Sequence, residues 1–201
     1  LKAWRRLRLV DADAAGGARR NVQVQPLWTE GDTTPALAHH LGALLAGMDA
    51  PALPAKFGFV VDTGAVPCMR NCHADIRLER HTDGVLVYAD GADAGVVVTP
   101  QAAPRCALGL ARWFLGAGGA PQGRGRMAAL LGQCGLPAEW RQTPVPPWAA
   151  PAPGPGLLAA GRIVGLAFGL VSVNALAALG ACGALPSTPW CRPVSYTHLR
   201  A

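Results

Sequence analysis

Apolar and polar residues alternate from 21 to 27, with Val22 and Val24 on one side, and this period of two predicts a short strand. The period then lengthens. Leu37, Leu41, Leu44, Leu45 and Met48 recur at helical spacing behind Pro35, with Thr33 or Thr34 as the cap and Pro51 and Pro54 as the stop. Residues 57–61 read as a buried strand. Next comes a meander: Ala74, Ile76 and Leu78 alternate with Asp75, Arg77 and Glu79, Asp83-Gly84 turns the chain, Val85 and Val87 return, Asp90-Gly91 turns again, and residues 96–98 complete a third strand. Two helices follow, one with a stripe of Cys106, Leu110, Trp113 and Phe114, the other with Met127, Leu130, Leu131 and Cys134. Core packing is the expected role of both cysteines.

Pro144, Pro146, Pro147, Pro151, Pro153 and Pro155 make residues 143–156 an extended, semi-rigid stretch and the best domain boundary in the chain. Beyond it a strand over 163–168, a helix capped by Ser172 and the start of another strand near Leu185 open a second unit. Residues 163–182 carry no charge, and about 20 apolar residues would span a bilayer. Ser172, Asn174 and the glycines at 165, 169 and 180 favour strand and helix over a membrane span.

With 201 residues, 51% of them hydrophobic, the chain can bury a sizeable core, which excludes wholesale disorder. Its net charge of +6 rests on arginine, since Lys2 and Lys56 are the only lysines among 18 basic residues. These arginines are dispersed and not interleaved with aromatics, so a nucleic-acid partner is not expected, whereas a small acidic ligand is. Cysteines at 68, 72, 106, 134, 182 and 191 form no regular disulfide framework, and a reducing cytoplasm is the expected location. Leu1 in place of an initiating Met suggests that the sequence begins inside a longer reading frame.

The most tempting metal motif is Cys68-Met69-Arg70-Asn71-Cys72-His73, but its spacing fits neither a zinc knuckle nor a c-type haem site. A loop with two incidental thiols is the expected reading. His39 and His40 are adjacent on a helix, where neighbours do not converge on one metal, so they are read as solvated. Two cationic positions carry more chemistry. Arg19 and Arg20, with Asn21, sit where a loop enters a strand, and Lys56 opens the strand after Pro54. An arginine fork suits carboxylates and oxyanions, while lysine acts as a compact charge, so at two strand mouths they can face one anion. Each can equally be a plain surface charge.

Residues 18–22, 53–62 and 74–78, in that order and spacing, resemble the first catalytic-type half of the precorrin-3B synthase family, within the nitrite and sulfite reductase superfamily. Residues 165–169 with the helix after them and Thr188-Pro189-Trp190 resemble the start of that family's second ferredoxin-like half. The resemblance implies an α+β fold: a reductase-like domain over 1–142 with a mixed or antiparallel sheet and helices, the proline linker over 143–156, and an incomplete ferredoxin-like half-domain over 157–190. Residues 191–201 look like translated adaptor sequence and are set aside from fold reasoning.

The same resemblance implies a monooxygenase of cobalamin biosynthesis that uses oxygen and reducing equivalents to convert precorrin-3A to precorrin-3B. Arg20, Asn21 and Lys56 would contact the anionic tetrapyrrole, with Arg19 and Arg77 beside them. A 4Fe-4S cluster would be held by cysteines late in the parent chain, and non-haem iron or sirohaem would be a further cofactor, with an electron donor that the sequence does not name. No cysteine here matches the late pattern, so this chain alone is expected to hold no cofactor and to lack turnover. Sulfite reductases carry a second lysine where this chain has Gly58, which makes a sirohaem-dependent reductase the second choice. A non-catalytic binding or membrane-associated protein built on 163–182 is the third.

Overall fold

The computed structural model describes residues 21–29, 31–147, 150–151, 153–158, 161–165, 172–181 and 194–195. Its centre is a mixed sheet of six strands in chain order: β1 (Val22–Val24), β2 (Phe59–Asp62), β3 (Ile76–His81), β4 (Gly84–Ala89), β5 (Ala94–Val98) and β6 (Thr143–Pro144). The first three strands run parallel, and the rest pair antiparallel as the meander requires. Parallel neighbours need a crossover, and α1 (Thr34–Ala46) supplies it between β1 and β2. The link from β2 to β3 is instead an irregular loop, residues 63–75, that folds back over the sheet.

One face of the sheet is apolar. Phe59, Val61, Ile76, Leu78, Val85, Val87 and Ala89 point into a core completed by Leu37, Leu41 and Leu45 of α1, by Leu108, Leu110 and Phe114 of α2 (Ala103–Gly116), and by Met127 and Leu130 of α3 (Met127–Cys134). Phe57 packs edge-on to Phe59 and tilted against Phe114, with centroids 5.6 and 4.8 Å apart.

Several boundaries differ from expectation. The first strand is confined to Val22–Val24, and the second begins at Phe59 because Lys56 sits in a turn. The first helix stops at Ala46, short of the prolines, so Met48 lies beyond it and fully exposed. Thr33 holds the N-cap position as expected but makes no side-chain cap bond; Asp32 Oδ1 instead accepts from Thr34 N at 2.9 Å and from Thr34 Oγ1 at 2.7 Å. Cys106 is half-buried against the core as expected, but Cys134 at the last turn of α3 is exposed.

The proline-rich stretch starts as part of the sheet. Thr143 and Pro144 pair with Gly95 and Ala94, and Ala150 N donates to Pro67 O at 2.9 Å. Beyond it β7 (Gly156–Leu158), β8 (Gly161–Ile163) and β9 (Val194–Ser195) form a separate antiparallel sheet. The strand expected over 163–168 ends at Ile163, and residues 166–171 lie outside the described residues. Val194 and Ser195, within the adaptor-like tail, pair with Ile163 and Arg162. Helix α4 (Val173–Ala181) begins where expected, with Ser172 Oγ accepting from Ala175 N at 3.1 Å. Among the described residues no helix is long and apolar enough to cross a membrane.

Candidate functional site: a cationic cleft at the strand mouths

Because β1, β2 and β3 run parallel, the residues that precede them share one edge of the sheet. Asn21 precedes β1, Lys56 the turn into β2, and His73 the entry to β3. These three line one open cleft of about 480 Å³ with Gln23, Ala55 and Arg126. Lys56 and His73 are exposed, Asn21 is half-buried, and the guanidinium side chain of Arg126 is 39% exposed. Two of the expected contact residues, Asn21 and Lys56, thus come together. Arg19 and Arg20 lie outside the described residues.

Arg77, the fifth expected contact, is elsewhere in its chemistry. It is buried, its Nε pairs with Asp90 Oδ1 at 2.7 Å, and its two terminal nitrogens donate to Met69 O at 3.0 Å and Cys72 O at 2.6 Å. Its donors are engaged in holding the loop before β3.

Arg126 was not singled out by sequence, and it ties the cleft together. Its guanidinium donates to Lys56 O, and to Ala74 O at 3.2 Å, while Nε stands 3.3 Å from Asp75 Oδ1. Asp75 is fully buried behind it. One carboxylate oxygen accepts from Met127 N at 2.8 Å, capping α3 from across the fold, and the other accepts from Gly58 N at 3.0 Å. Burial above all raises the Asp75 carboxyl, and the Met127, Gly58 and Arg126 donors oppose it. A single basic residue in a loop before a helix carries no periodic signal. Only the fold shows that it faces Lys56.

Gly58 has a direct part in the cleft. A Cβ there would stand 2.8 Å from Asn21 Nδ2, so a larger residue requires the Asn21 side-chain amide to shift. The close approach of Asn21 to β2 depends on that missing side chain.

The opposite face of the sheet combines buried polar side chains with a small apolar cluster of Val60, Cys68, Met69, Cys72 and Ala74. Glu79 accepts Arg70 Nε at 3.0 Å and Nη2 at 2.7 Å and also the hydroxyl of Tyr88; Asp62 Oδ2 accepts the backbone N–H groups of Cys68 at 2.8 Å and Met69 at 2.7 Å. Burial pushes the Asp62 carboxyl up to about 6, with Glu79 adding to the rise and the two N–H donors opposing it. Burial and then Glu79 likewise raise the Tyr88 phenol. Gln25 Nε2 donates to Val66 O at 2.7 Å and to Cys68 Sγ at 3.3 Å.

These contacts bear on the cofactors that the family resemblance implies. Burial pushes the Cys68 thiol up to about 11, and its sulfur accepts from Gln25 Nε2. Among the described residues no three His, Cys, Asp or Glu side chains converge as a metal-holding group. Among the described residues the donor set does not fit an iron-sulfur cluster. The cationic cleft, by contrast, has the charge and donors for carboxylates.

Comparison with family models, with curated proteins and with solved structures finds no match to this chain.

Proposed function

We propose that this chain holds a polycarboxylate tetrapyrrole in the cleft of Asn21, Lys56 and Arg126, as part of an oxidoreductase resembling precorrin-3B synthase with a nitrite and sulfite reductase-like fold. The observation that carries this reading is the convergence of Lys56 with Asn21 and Arg126 at the mouths of three parallel strands. Lys56 offers a mobile point charge, Arg126 a part-exposed positive charge whose guanidinium is held in place by Asp75, Lys56 O and Ala74 O, and Asn21 an amide that can donate to a carboxylate or accept from a pyrrole N–H. An open cleft of about 480 Å³ admits one arm of a large flat ligand and leaves the remainder in solvent.

The resemblance implies oxygen-dependent hydroxylation of precorrin-3A. The role argued for these residues is narrower: they bind the acidic side chains and fix the macrocycle against the sheet edge. Gly58 stands where sulfite reductases carry a second lysine, and the loss of that charge favours the precorrin branch.

Titration with uroporphyrin, a tetrapyrrole octacarboxylate, followed by fluorescence tests the reading. Lys56→Ala is expected to weaken binding about tenfold, the size of one charge-assisted hydrogen bond. Equal affinity in the wild type and Lys56→Ala would remove the cleft from consideration.

A further inference from the structure

Asp75 stands one residue before β3 and is only 1% exposed, yet every partner of its carboxylate comes from another part of the chain. Oδ1 accepts from Met127 N at 2.8 Å and lies 3.3 Å from Arg126 Nε, and Oδ2 accepts from Gly58 N at 3.0 Å. The backbone doubles the second link, since Asp75 N donates to Gly58 O at 2.7 Å. Gly58 lies against the Asn21 amide, and Arg126 lines the cleft and reaches on to Lys56 O and, at 3.2 Å, to Ala74 O. One buried carboxylate therefore joins the turn before β2, the entry to β3 and the start of α3. An arginine on a loop ordinarily samples many rotamers, whereas acceptors on three sides hold this one in a single orientation.

We propose that Asp75 is the positioning residue of this cleft: without touching the ligand, it fixes the Arg126 guanidinium against the Lys56 turn, so that both cationic residues meet an anionic ligand already in place. This role rests on the anion-binding reading above and adds to it the residue that organises the site. Two effects of the carboxylate oppose each other. Its negative charge behind Arg126 weakens the pull of the cleft on an anion, so by Coulomb's law alone its removal tightens binding. Its hold on Arg126 spares the side chain the ordering that binding would otherwise impose, so by that effect its removal weakens binding. Positioning requires the second effect to win.

The test compares uroporphyrin binding by the full chain in Arg126→Ala, Arg126→Lys, Asp75→Ala and the double variant Asp75→Ala/Arg126→Ala. Arg126→Ala is expected to weaken binding about fivefold, the size of one part-exposed charge contact. Asp75→Ala is expected to weaken it about threefold while Arg126 is present and not at all in the Arg126→Ala background, a coupling that a general loss of stability does not produce. Arg126→Lys keeps the charge but is a compact ammonium without the planar fork, and is expected to bind as weakly as Arg126→Ala. Because it leaves Asp75 and its bond to Met127 N in place, it decides the matter if Asp75→Ala fails to fold. Unchanged or tighter binding by Asp75→Ala, equal weakening with and without Arg126, or wild-type affinity in Arg126→Lys overturns the positioning role. If Lys56→Ala still weakens binding in that event, the cleft reading stands without it, and a wild type that does not bind uroporphyrin removes both.

Discussion

The two faces of the six-stranded sheet are both buried, one by apolar side chains throughout and the other by buried charges set around a small apolar cluster of Val60, Cys68, Met69, Cys72 and Ala74. On the helix-covered face, Phe59, Val61, Ile76, Leu78, Val85 and Val87 pack against α1, α2 and α3. On the other, Asp62, Arg77, Glu79 and Tyr88 lie beneath an irregular loop and the start of the proline-rich stretch, where Pro146 O accepts from Arg70 Nη1. Apolar packing is non-directional and tolerates exchange of one shape for another, whereas buried charges demand partners at fixed positions. The first face therefore supports the fold, and the second fixes where a loop without helix or strand must run. His73 and, through Arg77, the segment leading into the cleft inherit their position from it.

Substitutions on each face should break the molecule differently. Phe114→Ala, at the centre of the apolar face, is expected to have the largest effect: a loss of about 3–5 kcal/mol in denaturant unfolding, with the whole first sheet melting together. On the polar face, Asp62→Ala leaves the N–H groups of Cys68 and Met69 without their acceptor and should cost about 1–3 kcal/mol. Proteolysis within residues 65–73 should then accelerate more than cleavage elsewhere.

A smaller and sharper effect concerns pH. The Asp62 carboxyl is raised by burial from 3.8 to about 6, so the folded chain holds its proton more tightly than the unfolded chain does. Its contribution to stability is full below the unfolded value and is lost as the pH climbs through about 6. Asp62→Asn keeps an acceptor and removes the titration. The unfolding free energy of the wild type minus that of Asp62→Asn should fall between about pH 4 and about pH 6 and level off above. A difference that is flat across this window would contradict the assignment.

How far the sequence could be read follows the same division. The meander was legible because Asp83-Gly84 and Asp90-Gly91 are local turn signals and Val85 and Val87 alternate between them; the strands appear as Ile76–His81, Gly84–Ala89 and Ala94–Val98. The helix of Met127–Cys134 was legible from its stripe. The burial of Arg77, Glu79 and Asp62 was not. Alternation of apolar and charged residues ordinarily marks a half-buried strand, and nothing local announces that a loop 50 residues downstream of Gln23 will close over the other face, as the Gln23 to His73 contact does. The resemblance places Arg77 among the contact residues, and nothing local shows that its donors serve Asp90, Met69 and Cys72. That Asn21 and Lys56 share one cleft is legible from their places at strand mouths, which parallel pairing brings to one edge. Arg126 was missed because its partners, Asp75 and Lys56, are distant in sequence.

The cleft of Asn21, Lys56 and Arg126 is the proposed place where an anion binds. Backbone amide shifts recorded during a titration with uroporphyrin test that directly. The expected perturbations cluster at Asn21, Gln23, Lys56, His73 and Arg126. Perturbations centred instead on Arg105 and Arg112, in the separate groove between α1 and α2, would contradict it.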